Sequence, residues 1–182
     1  MSELFRCKPD RLAYEFMAEY PKMVEWWIKR TVEFGGGSYA VFRKHFYKEW
    51  KKEWDGYYSQ HAQTSSLVAF SGVQLWKKPD ERLKIPELKW RFIVVSPREV
   101  KIEKGELLFS TKIGEIAHVK IIPEDQRLRR LLVQAENGYW QVGQSIVTPE
   151  WAVVSFTSYL DLSTERETLI KELLSAEATP YR

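Results

Sequence analysis

Residues 100–111, VKIEKGELLFST, decide how the second half of the chain is read. Val100, Lys101, Ile102 and Glu103 alternate apolar with polar, the period of a strand with one covered face. Lys104-Gly105 is a turn signal, and residues 106–111 return as a second strand. The same grammar continues outward. Ala117, Val119 and Ile121 alternate with His118 and Lys120. Residues 90–95 form a β-type run, and residues 151–159 form another. Residues 131–136, then Asn137-Gly138, then residues 139–147 read as a hairpin, because Asn-Gly suits a type I′ turn. About six strands at this spacing, joined by tight turns, favour a small antiparallel β-barrel or a sandwich.

Upstream the period is helical. Residues 4–8 read as a short strand closed by Pro9. Pro9 and Asp10 then suit a helix start, and Leu12, Phe16 and Tyr20 recur at helical spacing. Pro21 is expected to end or kink that helix, with a second segment carrying Met23, Trp26, Trp27 and Val32 to about Phe34. Gly35-Gly36-Gly37 is a break, and Ser38 is placed as an N-cap. Phe42, Phe46, Trp50 and Trp54 follow at four-residue intervals as one aromatic stripe. Lys44, Lys48 and Lys52 point to the opposite side, flanked by Arg43 and Lys51. After the Asp55-Gly56 turn, residues 58–77 form a helix whose inner stripe is thin: Ala62, Ser65, Ala69 and Gly72. It ends at Lys77-Lys78, before Pro79. Thr164 and Glu167 have capping-box spacing and open a last helix ahead of a frayed tail.

Composition narrows the function. Of 182 residues, 44% are hydrophobic and 29% charged, which is ordinary for a folded chain. Eight tryptophans are a surplus; most belong in a core, but aromatic faces also stack on bases. Cys7 is the single cysteine, so no intrachain disulfide forms, and a cytoplasmic setting is expected. The N-terminus lacks the apolar core of a signal peptide, and no uncharged run approaches the ~20 residues of a membrane span. His45, His61 and His118 do not stand at metal-ligand spacing, so no zinc site is expected. No phosphate-binding P-loop and no G-x-S-x-G nucleophile motif occur. No cofactor and no catalytic residue is assigned from the sequence.

The net charge of +3 is modest, so its placement matters more than its size. Residues 38–52 hold five Lys and Arg against one acid. That surplus equals the surplus of residues 1–90, which hold sixteen basic residues against twelve acids. Arg43, Lys44, Lys48, Lys51 and Lys52 therefore stand as candidate phosphate contacts, although a solvated helix face has the same composition. Lys77 and Lys78 are further candidates; at a helix end they also satisfy the dipole. Arg127, Arg129 and Arg130, read as a surface loop before the Asn-Gly hairpin, are candidates too. Trp140, beside that turn, is the candidate stacking platform.

Several of these segments occur in a familiar order. Ser59, Ala62, Thr64, Ala69, Trp76, Lys77 and Lys78 resemble, without a gap, the second helical element of archaeal TnpB-type proteins, RNA-guided nucleases encoded by insertion sequences and related to type V CRISPR effectors. Phe5-Arg6-Cys7-Lys8-Pro9 is similar to the first strand of that family. Residues 91–109 are similar to its return from helices into strands, and Gly138-Tyr139-Trp140 to its last hairpin before the catalytic domain. The resemblance covers roughly residues 3–160. It implies an α+β fold: a wedge-like, oligonucleotide-binding antiparallel barrel from residues 1–8 and 85–162, a helical lobe at 9–80 inserted after the first strand, and a C-terminal helix and tail at 163–182. Tyr159-Leu160-Asp161-Leu162 faintly resembles the strand bearing the first catalytic carboxylate of the RuvC-like domain. The rest of that nuclease has no counterpart, so the resemblance implies a noncatalytic, truncated binder of structured RNA, RNA–DNA duplex or DNA, working with a separate nuclease subunit or as a homo-oligomer.

Two rival expectations stand beside it. The aromatic surplus would equally serve a scaffold module that binds a partner protein and no nucleic acid. A metal-dependent enzyme would instead draw on Asp161 with Glu124, Asp125 or Glu150.

Overall fold

The computed structural model describes residues 1–158 apart from 36, 77–87 and 89. Lys77, Lys78, Asp161 and the helix expected over 163–182 lie outside the described residues. The chain is α+β, with the order β1 (Ser2–Pro9), α1 (Arg11–Phe34), α2 (Tyr39–Glu53), α3 (Ser59–Trp76), β2 (Ile93–Val95), β3 (Val100–Glu103), β4 (Glu106–Ser110), β5 (Ile116–Ile122), α4 (Gln126–Glu136), β6 (Trp140–Val147) and β7 (Trp151–Ser158).

The seven strands of the described residues form one antiparallel sheet in the order β2-β6-β7-β1-β5-β4-β3. Its two edge strands, β2 and β3, are consecutive in the chain and joined by residues 96–99. That short link draws the edges toward each other and leaves the sheet nearly closed, like a small barrel. Phe5, Leu107, Ala117, Val119, Val147, Ala152 and Val154 alternate onto the inner face and are fully buried. The β3–β4 turn places Lys104 and Gly105 at φ 53° and 74°. Two left-handed residues are what a type I′ turn requires, so the Lys-Gly signal is met. β6 and β7 shift register between Val142 and Ser145. A Cβ at Gly143 in that shift would stand 3.0 Å from Ser155 Cβ and 3.3 Å from its carbonyl oxygen.

Three expectations are corrected. Residues 131–136 are not a strand. They belong to α4, where Leu128, Leu131, Leu132 and Ala135 are buried at helical spacing and the Asp125 side chain accepts from Leu128 N at 2.7 Å. Asn137-Gly138 terminates this helix, with Gly138 at φ 81° just past its end, the usual C-terminal role of glycine. Asn-Gly serves a helix end as readily as a hairpin turn, and the helical period of the residues before it decides between them. β6 instead turns into β7 through residues 148–150. Second, α1 does not end at Pro21 but continues as one helix to Phe34. Met17, Tyr20, Pro21, Met23 and Val24 are all buried around it, and that burial offsets the ~3 kcal/mol an interior proline costs. Third, Gly72 of the small-residue stripe faces solvent, and an added Cβ there would meet nothing. Ala62, Ser65 and Ala69 are buried as expected, and they let α3 lie close along α1.

The aromatic stripe of α2 is core. Phe42 and Trp50 are fully buried, Phe46 and Trp54 nearly so. Phe42 meets Trp27 edge-on at 5.4 Å, and Trp54 packs against Trp26 and Trp50, each at 5.8 Å. Ser38 caps α2 as read.

Candidate functional site

Because the aromatic stripe turns inward, the opposite side of α2 turns its cations out. Arg43, Lys44 and Lys48 line one groove between α2 and α3, with Tyr47 on the same wall and Ser59 and Gln63 opposite. The groove encloses about 540 Å³. It is tied at both ends. Near the start of α2, the Tyr39 hydroxyl reaches the Gln63 carbonyl at 3.0 Å and Ser66 Oγ at 2.9 Å. Near its end, Lys51 Nζ donates to the Tyr57 carbonyl at 3.1 Å. The Arg43 guanidinium is steadied 5.9 Å over the Tyr39 ring. Among the described residues, no carboxylate lies within ion-pair distance of Arg43, Lys44, Lys48, Lys51 or Lys52.

The candidate residues therefore separate. Arg43, Lys44 and Lys48 share the groove. Lys51 is half-buried and holds α2 to the segment before α3. Lys52 is exposed but is not part of the groove wall. The three arginines expected in a loop stand on α4. Arg127 is committed to Glu3 by two bonds of 2.7 and 2.9 Å, and that guanidinium holds the Glu3 carboxyl below the usual range. Arg127, Arg130 and Trp140 line a second cavity of about 500 Å³ with Met1 and Gln134; Arg129 is exposed outside it. Trp140 is half-buried, and its indole N–H points to Gln134 Oε1 at 3.2 Å. The carboxylates considered for an enzyme do not assemble. Glu124 pairs with Arg6 at 3.1 Å, Asp125 caps α4, and Glu150 sits in the β6–β7 turn. Among the described residues no group of three or more His, Cys, Asp or Glu could hold a metal. None of their helices is long and apolar enough to cross a membrane.

One pairing was not legible beforehand. His61 of α3 is fully buried, and its Nε2 lies 2.9 Å from the Ser110 carbonyl and 3.1 Å from that of Thr111. Both partners only accept, so Nε2 carries a proton. Nδ1 faces Glu99 Oε2 at 3.8 Å, and neither Nδ1 nor either Glu99 oxygen has another partner among the described residues. Burial lowers the His61 pKa to about 4 and raises that of Glu99 to about 7. Burial pushes the ionisation of the Tyr20 phenol of α1 well above the ordinary tyrosine range, with Glu99 a minor contributor.

No family model matches the chain. Over 58 residues it is 38% identical to Uncharacterized protein MJ0752 of Methanocaldococcus jannaschii, a match that takes in 31% of this chain and 76% of the relative. The chain belongs to the family of that archaeal protein. The MJ0752 name carries no activity, so kinship gives the α2–α3 groove no assigned ligand.

Proposed function

We propose that the chain is a noncatalytic nucleic-acid-binding protein that grips a phosphate backbone in the α2–α3 groove. The observation that carries this reading is the convergence of Arg43, Lys44 and Lys48, unpaired by any described carboxylate, on one groove held at both ends. Lys44 and Lys48 are one helical turn apart, about 6 Å along the axis. That is close to the step between successive phosphates of a strand. Such contacts are read through the backbone and favour no base sequence. The TnpB resemblance supports the same reading and adds an origin: a transposon-derived grip, acting in the cytoplasm on structured RNA, RNA–DNA duplex or DNA, with catalysis left to a separate subunit.

Three phosphate contacts release three sets of counterions. The logarithm of the affinity then falls against the logarithm of salt with a slope of about −3 for a duplex and about −2 for a single strand. Gel-shift titration of RNA, RNA–DNA hybrid and DNA over a range of salt measures this. Affinity that stays flat for all three nucleic acids contradicts the proposal.

A further inference from the structure

The outer face of the sheet carries an apolar row where solvent-facing strand positions are ordinarily polar. Leu4 of β1 is in register with Val153 of β7, and Val153 with Ile146 of β6. All three point away from the core, since their chain neighbours Phe5, Ala152, Val154 and Val147 are fully buried. Leu4 is 53% exposed and Ile146 43%. At its Leu4 end the row runs into a cleft of about 800 Å³ walled by Trp90, Phe92, Pro149 and Trp151. Trp90 is 81% exposed.

The cleft is preformed. Thr148 Oγ1 bonds to Trp151 N at 3.0 Å and to Trp151 O at 2.9 Å, which fixes the turn beneath it. Arg6 lies 5.4 Å over the Trp151 ring. With Trp151 held in this way, its side of the wall loses little entropy on association. Two charges of opposite sign, Arg91 and Glu150, border the same cleft. Neither has an ion-pair partner among the described residues, and Arg91 is held 4.5 Å over the Tyr14 ring.

We propose that this face is a homodimer interface, in which a two-fold axis lays the Leu4–Val153–Ile146 row of one copy on that of another and sets each Arg91 against the other copy's Glu150. The charge pattern selects the partner. A two-fold interface must complement itself, and a patch whose rim holds one cation and one anion without ion-pair partners among the described residues does so twice over, while the neighbouring Arg6 is paired with Glu124. A polyanion would gain nothing from an aliphatic row. An apolar, aromatic centre with charge at the edge is the composition of protein interfaces. The inference is independent of the α2–α3 groove, which lies on other elements.

Sedimentation velocity over a wide concentration range tests it. The expected result is a mass rising with concentration from the 21.6 kDa monomer toward twice that value. Arg91→Glu and Glu150→Arg should each weaken association at least ~tenfold, because each sets like charges together. The double reversal should restore it, and Ile146→Lys should abolish it. All three side chains are exposed in the monomer, and circular dichroism verifies that each variant keeps its fold. A monomer at every concentration overturns the proposal, as does a dimer indifferent to Ile146→Lys. Loss in both single reversals without recovery in the double overturns the two-fold pairing.

Discussion

Replacing Glu99 by glutamine should make a stability that is nearly indifferent to acid strongly dependent on it. His61 Nδ1 and Glu99 Oε2 lie 3.8 Å apart inside the junction of α3 and the barrel, and burial favours the neutral form of each. The Glu99 pKa is raised from 4.5 to about 7, so its stabilising contribution is full below 4.5 and is lost as pH rises through 7. The His61 pKa is lowered from 6.5 to about 4, so its contribution is full above 6.5 and is lost as pH falls through 4. The slopes are opposite. Between about pH 4.5 and 6.5 the folded and unfolded chains each carry one proton on this pair, and the two effects cancel. In Glu99→Gln only His61 titrates. A displacement of 2.5 pH units at 1.36 kcal/mol each gives about 3 kcal/mol, gained as pH rises from 4 to 6.5. Glutamine matches the size of the protonated carboxyl and is neutral, so the variant should fold near neutrality. His61→Gln should show the reverse, losing stability from pH 4.5 to 7. Urea unfolding across this range, read as the difference from wild type, measures both. Parallel curves for wild type and Glu99→Gln would refute the opposed titration of the two buried groups.

Two smaller tests concern the barrel. Gly143→Ala drives a methyl group into Ser155 at the β6–β7 register shift and should cost about 1–3 kcal/mol in chemical unfolding; an unchanged midpoint would show that the strands part freely there. Cys7 is buried, its thiol donates to the Thr148 carbonyl at 3.3 Å, and burial raises its pKa to about 11. It should resist thiol reagents at pH 8 in the folded chain and react on unfolding; fast labelling of folded protein would contradict its placement.

The elements legible in the sequence were those whose local signals agreed. Ser38 and the four-residue aromatic spacing of α2 pointed to one answer, and so did the alternation around Lys104-Gly105. Asn137-Gly138 failed as a guide because its left-handed preference fits a helix end and a hairpin alike, and the leucine spacing from Leu128 was the stronger signal. Pro21 did not end the helix because a local cost was overridden by burial that only the tertiary fold supplies. On the candidate site, charge patterning put Arg43, Lys44 and Lys48 on one helix face, and the structure brings them to one groove, since a helix carries its spacing directly into space. It could not see that Arg127 would be spent on Glu3, 124 residues away, or that Lys51 would clamp a backbone carbonyl. His61 and Glu99 meet through a turn and a helix with no sequence relation, and nothing local announces them.

The groove itself is tested most directly by charge reversal at its wall. Fluorescence anisotropy of a labelled single-stranded RNA would compare wild type, Lys44→Glu/Lys48→Glu, and Arg129→Glu/Arg130→Glu on α4, each over a range of salt. The account predicts that the α2 variant loses most of its affinity and that its salt slope flattens by about 0.7 per lysine removed, while the α4 variant stays near wild type. Undiminished binding in the α2 variant, or an equal loss in both, would contradict it.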